Sequence, residues 1–265
     1  MAPIRMIQVD AFTNEPFAGN PAAVVLFGEL PDDATLQKIA LEMNLSETAF
    51  PVKRPDGDWD LRWFTPGAEV DLATLGSAHA LKELSLVRDA VTFHTRSGPL
   101  RCEFDADKIV MDFPNSPVDP SPPPADLLAA LSNCLGAAVV DCGISFDVVA
   151  QLASPEAVRS LTPSLDGVAK IDTRAIIVTA SGDIDNGPAD FVSRVFAPRV
   201  GVNEDPVTGS AHTILAPWWA ERLDITTFRA HQVSARGGRL GVKLLGDRVE
   251  LTGNAVTVVT GTLHV

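Results

Sequence analysis

The segment Glu204-Asp205-Pro206-Val207-Thr208-Gly209-Ser210-Ala211-His212 gathers two carboxylates, two hydroxyls, a glycine and an imidazole in one short stretch. The residues that follow, Thr213-Ile214-Leu215-Ala216-Pro217-Trp218-Trp219-Ala220, carry apolar side chains at helical spacing, so a helix is expected over Val207 to Leu223. The backbone N–H groups of a first helical turn have no partner inside the helix, and such a mouth attracts anions. The same residues also make an ordinary helix start, with Asp205 or Thr208 as the cap and His212 a surface histidine.

Further stretches decide between the two. They are Gln8-Val9-Asp10-Ala11-Phe12-Thr13, Phe17-Ala18-Gly19-Asn20-Pro21-Ala22-Ala23-Val24-Val25, Asn44-Leu45-Ser46-Glu47-Thr48-Ala49-Phe50, Phe64-Thr65-Pro66, Glu69-Val70-Asp71-Leu72 and Arg194-Val195-Phe196-Ala197-Pro198. Together with the helix mouth they give a chain that resembles the PhzF-like phenazine-biosynthesis family, which shares the diaminopimelate-epimerase fold. The resemblance runs from Gln8 to the closing Gly246-Asp247-Arg248-Val249-Glu250-Leu251.

This resemblance implies a cofactor-independent isomerase that moves a proton between carbons of a small carboxylate-bearing metabolite, in a cleft between two halves of the chain. The family name suggests trans-2,3-dihydro-3-hydroxyanthranilic acid as the substrate. Glu47 takes the place of the family's acid/base, and Asp205 is the expected second carboxylate. An acid of this kind needs a pKa near working pH, set by desolvation or by a neighbouring carboxylate. Ser210 and the N–H groups near Thr208 and Gly209 are expected to hold the substrate's polar groups, with Asn20, Ser46 and Asp71 on the same list. Gly19-Asn20-Pro21 is equally good turn chemistry. Arg194, Arg236 and His212 are lesser candidates, because a structural ion pair is the commoner role for an arginine.

One departure stands out. The family reads Asp-Leu-Cys-Gly-His-Ala-Thr at the start of its first-half helix, whereas here Asp71-Leu72 runs directly into Ala73-Thr74-Leu75-Gly76-Ser77-Ala78-His79. The lost histidine belongs to the family's site, and the lost glycine lets backbone N–H groups approach a ligand. Spacing to the downstream repeat places His79 inside the helix rather than in the vacant position. A second reading therefore stands beside the isomerase: a weakened homologue that only binds a small acid or a protein partner.

The elements that must position these residues follow from two matching stretches. Gly98-Pro99-Leu100-Arg101-Cys102-Glu103-Phe104 with Asp107-Lys108-Ile109-Val110-Met111 repeats as Gly238-Arg239-Leu240-Gly241-Val242-Lys243-Leu244 with Asp247-Arg248-Val249-Glu250-Leu251. Each copy alternates apolar and polar residues across a turn, the pattern of a β-hairpin with one buried face. The chain is thus expected to be an α+β tandem pseudo-symmetric duplication, two β half-barrels each wrapped around a central helix. Helices are expected at Ala34 to Met43, Thr74 to Leu84, Ala125 to Leu135, Pro155 to Leu161 and Val207 to Leu223. Domain limits are expected at 1–114 and 125–254, joined by a proline-rich linker at 115–124, and the family resemblance implies that a last strand at 255–265 returns to the first domain.

Composition narrows the partners. The 265 residues are 46% hydrophobic and 21% charged with a net charge of −13, which suits a folded protein and disfavours nucleic acid and anionic membranes. No run of apolar residues reaches membrane length, and a cytoplasmic location is the default. Cys102, Cys134 and Cys142 are odd in number and lack metal spacing, so buried thiols are expected, with no metal and no nucleotide. Trp218-Trp219 suits either a core helix or an apolar homodimer face.

Overall fold

The repeated hairpins lie at equivalent places in two similar units. The protein was analysed as a computed structural model that describes residues 3–70, 75–184 and 187–265. Its backbone divides into Met1–Phe113 with Leu251–Val265, and Pro114–Glu250.

The first unit runs β1 (Ile4–Ala11), β2 (Asn20–Leu26), α1 (Asp33–Met43), β3 (Glu47–Lys53), β4 (Trp59–Phe64), β5 (Glu69–Val70), α2 (Leu75–Glu83), β6 (Ala90–Thr95), β7 (Gly98–Asp105) and β8 (Lys108–Pro114). The second runs α3 (Leu127–Leu135), β9 (Asp141–Ile144), β10 (Val148–Gln151), α4 (Pro155–Arg159), α5 (Leu165–Val168), β11 (Ile176–Ser181), β12 (Phe191–Ala197), β13 (Val202–Asp205), α6 (Gly209–Leu223), β14 (Thr227–Gln232) and β15 (Gly238–Leu245). β16 (Arg248–Gly253) then leads back to the first unit, where β17 (Ala255–Leu263) pairs antiparallel with β1 along its length.

Strand order in the first unit is β17-β1-β2-β3-β4-β6-β7-β8, with β5 on β4; only β2–β3 and β4–β6 are parallel. The second unit orders β9-β10-β11-β12-β14-β15, with β13 on β12, and its parallel pairs are β10–β11 and β12–β14. From β1 to β7 and from β9 to β15 the two patterns are the same. In the hairpins, Leu100, Cys102, Ile109 and Met111 are buried, as are their counterparts Leu240, Val242, Val249 and Leu251. The turns match as well, with Ala106 at φ 54° and Gly246 at φ 64°.

The duplication extends past the hairpin. Arg62 makes a two-pronged bond to Glu69 (2.7 and 2.9 Å) and lies over the Phe64 ring, and Arg194 does the same with Glu204 (2.7 and 2.9 Å) over Phe196. Arg194 also donates to the carbonyls of Val158, Arg159 and Leu161, so it has the structural role expected of such an arginine.

Each unit encloses one helix. α6 buries nine of the ten residues from Ser210 to Trp219, Pro217 excepted, so it is enclosed all round rather than along one stripe. Pro217 offers no N–H to the Thr213 carbonyl one turn back, a loss that ordinarily breaks a helix. Here the Ser116 N–H supplies the missing donor at 3.1 Å. The same proline-rich segment bonds through Asn115 N to Asp247 O (2.9 Å) and Asp119 N to Ile144 O (2.7 Å). The stretch expected as a linker is therefore docked within the second unit. α2 is described over nine residues, Leu75–Glu83.

α1 shows how a short polar residue aims the chain. Its N-cap Asp32 accepts the Thr35 N–H at 2.9 Å, and its C-cap Asn44 adopts φ 50°, ψ 39°. Asparagine tolerates this left-handed conformation, whereas a β-carbon without a polar end is disfavoured there. We expect Asn44→Ala to cost about 1 kcal/mol in urea unfolding while Asn44→Gly stays near wild type. Equal losses in the two variants would show that backbone handedness is not the cause.

All three cysteines are free and buried, and burial pushes their thiols upward in pKa. No helix among the described residues is long and apolar enough to cross a membrane.

Candidate functional site

Glu47 owes its place to the turn that Asn44 closes. The chain leaves α1, passes Leu45 and Ser46, and enters β3 at Glu47, which pairs with Ala22 of parallel β2. Asn20 begins β2 two residues earlier, so by strand alternation it shares a face with Ala22 and Glu47. That face meets α2, since a β-carbon on Gly76 would lie 3.3 Å from the Ala22 β-carbon. Gly19 fixes the entry to β2: its φ is +66° and a β-carbon there would sit 2.1 Å from the Ala11 carbonyl oxygen. Asn20 is buried and Ser46 and Glu47 are half-buried, all three at one end of the first unit's sheet. Asp71 and the junction where Cys-Gly-His is absent lie outside the described residues.

His79 sits in the middle of α2, as the spacing argument anticipates. Its Nε2 lies 3.1 Å from Thr257 Oγ1 on β17, and burial lowers its pKa. The imidazole is thus engaged with the final strand of its own unit.

In the second unit one turn carries the remaining candidates. Asp205 ends β13 with 9% exposure, Thr208 is the N-cap of α6, and Gly209 and Ser210 open the helix. Thr208 makes no side-chain cap. Its hydroxyl instead donates to Asp205 Oδ2 in a short hydrogen bond. The Thr208 N–H, expected to serve a ligand, is taken by Gln232 Oε1 at 2.9 Å. The Gln232 amide also donates to the Asp205 carbonyl (2.7 Å) and to Thr208 Oγ1 (3.2 Å), and Ser234 Oγ donates to the Pro206 carbonyl (2.8 Å). The end of β14 therefore clamps the turn that presents Asp205 and Thr208. Gln232 is fully buried and was not among the sequence candidates.

His212 is not on the surface. It is fully buried, stacks on Phe191 with ring centroids 5.9 Å apart, and donates through Nδ1 to the Thr208 carbonyl at 2.7 Å. Burial lowers its pKa to about 4, so the ring is neutral at ordinary pH. Arg236 lies in the turn between β14 and β15.

Ser210 has a further neighbour. Arg174 Nη2 donates to Ser210 Oγ at 3.2 Å while its Nε and Nη2 bind the two oxygens of Asp147 at 2.9 and 2.5 Å. Asp147 is fully buried. Among the described residues, Asp56, Asp58 and His94 are near enough to one another to share a metal ion, but they belong to the edge of the first unit. They are already engaged, Asp56 with Arg54 at 3.2 Å and Asp58 with His94 at 2.8 Å.

Two pseudo-symmetric β half-barrels, each around a central helix, define a diaminopimelate-epimerase-like fold. The family described as phenazine biosynthesis-like protein matches residues 9–261, and the chain belongs to it. It is 46% identical over 262 residues to an uncharacterized isomerase of Halalkalibacterium halodurans, covering 96% of each chain. Its fold matches a phenazine biosynthesis protein of the PhzF family from Enterococcus faecalis with a TM-score of 0.87 and 37% identity, over 99% of this chain and 100% of that one. A hydroxyproline epimerase of Agrobacterium vitis matches with a TM-score of 0.66 and 10% identity, over 98% and 92%, a likeness of fold alone.

Proposed function

We propose that this protein is an isomerase that moves a proton at carbon on a small carboxylate-bearing metabolite, without metal or organic cofactor. In this reading the Glu47 carboxylate takes a proton from a C–H bond made acidic by a neighbouring π system or carboxylate. The resulting acid returns a proton to another carbon, so no electrons leave or enter the substrate. Asp205 is the second carboxylate, and Asn20, Ser46, Asp71, Thr208, Gly209 and Ser210 bind polar groups of the substrate. Charge that develops on the substrate is stabilised by donors already aimed at it, as at a helix N-terminus. The observation that carries the reading is the mouth of α6, where Thr208 leaves the first-turn N–H groups without a side-chain cap and gives its hydroxyl to Asp205 instead. The three buried free thiols fit a reducing, cytoplasmic setting.

A second reading, a binding-only homologue, is favoured by the absent Cys-Gly-His. Deuterium incorporation from heavy water into trans-2,3-dihydro-3-hydroxyanthranilic acid or its product separates the two. Exchange that requires Glu47 supports the isomerase, whereas binding without exchange supports the alternative.

A further inference from the structure

The two units place different chemistry at equivalent strand heads. Thr48 pairs with Phe64 in the first unit and Ile176 with Phe196 in the second, so Ser46-Glu47 corresponds to Arg174-Ala175. The same register sets Ala22, beside Glu47, against Asp147. Where one repeat offers the proposed acid/base, the other offers a guanidinium anchored on a buried carboxylate.

We infer that Arg174 is a positioning residue for Ser210, an inference that rests on the function proposed above. Arginine only donates, so Ser210 Oγ accepts from it and must send its own hydrogen elsewhere. The Ser210 carbonyl is occupied by Thr213 Oγ1 at 2.8 Å. Arg174 thereby fixes the Ser210 hydroxyl as a donor toward a substrate oxygen at the α6 mouth. Asp147 holds the fork in place through two bonds, and the Phe146 ring lies 5.2 Å beneath the guanidinium carbon. A purely structural partner for Asp147 has no need to reach Ser210. A cation at a helix N-terminus also opposes the helix dipole, so the arrangement gains most when an anion is bound there.

Arg174→Lys separates positioning from packing, because lysine can neutralise Asp147 as a point charge but lacks the planar fork that serves both partners. With trans-2,3-dihydro-3-hydroxyanthranilic acid as the probe, Arg174→Lys is expected to raise KM for deuterium exchange about 10-fold or more at little change in melting temperature. The paired variant Asp147→Asn with Arg174→Gln, which leaves no buried charge alone, is expected to raise KM similarly. In a Ser210→Ala background the Arg174→Lys effect should vanish, since its target is gone. Rescue of KM by lysine, or equal effects with and without Ser210, would overturn the inference while leaving Glu47-dependent exchange intact. Absence of Glu47-dependent exchange in the wild-type protein would overturn the functional reading and this inference with it.

Discussion

Glu47→Gln is expected to lower the rate of deuterium exchange about 1,000-fold or more, because glutamine keeps the size and hydrogen-bonding reach of glutamate but can neither take nor return a proton. Glu47 is half-buried at the first position of β3, and its pairing with Ala22 is made by backbone. The loss should appear in kcat with KM little altered, since a neutral amide still accepts and donates hydrogen bonds to a bound acid. Glu47→Asp, one methylene shorter, should retain a fraction of the rate if the carboxylate itself is the reacting group. An unchanged rate in Glu47→Gln would remove Glu47 from the mechanism. Tight binding of the substrate by a wild-type protein that shows no exchange would favour the binding-only homologue.

The features legible in the sequence were those carried by local pattern. The repeated hairpins were visible because buried positions recur every second residue, and Leu100, Cys102, Leu240 and Val242 do line buried faces. Helix starts and stops were likewise local, and α1 begins and ends within a residue of expectation. The second layer of the duplication was harder to see. Arg62 and Glu69 are seven residues apart, but Arg194 and Glu204 are ten apart, because a 3-10 turn at Pro198–Val200 lengthens the second loop. The same ion pair therefore appears at two spacings.

What escaped the sequence is long-range and made by side chains. Gln232 clamps a turn 24 to 27 residues upstream, and nothing in a lone glutamine of a strand end announces that its amide will bind Thr208 and the Asp205 carbonyl. Asp147 and Arg174 lie 27 residues apart and meet because parallel β10 and β11 start side by side. The helix expected through Pro217 forms, but what permits it is remote in sequence: the Ser116 N–H fills the bond to Thr213 that the proline vacates. His212 reads as a surface histidine near the mouth, and its burial follows from α6 being enclosed on every side.

His212 carries the other large expected effect, on stability rather than rate. The folded protein holds its pKa near 4 by burial, against 6.5 for an exposed histidine. Below pH 6.5 the unfolded chain takes up a proton that the folded chain refuses until about pH 4, so the unfolded state binds more protons in this interval. Stability is fully present above pH 6.5 and is lost as pH falls through the window toward 4, by about 3 kcal/mol in all. His231 and His79 are also lowered by burial and tilt the curve the same way, so the histidines must be separated by substitution. His212→Asn keeps a side-chain donor for the Thr208 carbonyl and removes the titration. Its unfolding free energy in urea should therefore fall less than that of the wild type between pH 7.5 and 4.5, with a difference of about 2 kcal/mol or more. Parallel curves for the two proteins would show that His212 is protonated in the fold or already neutral when unfolded. Because the ring stays neutral above pH 6.5, His212 contributes to the α6 mouth as a fixed hydrogen-bond donor to the Thr208 carbonyl, not as a positive charge.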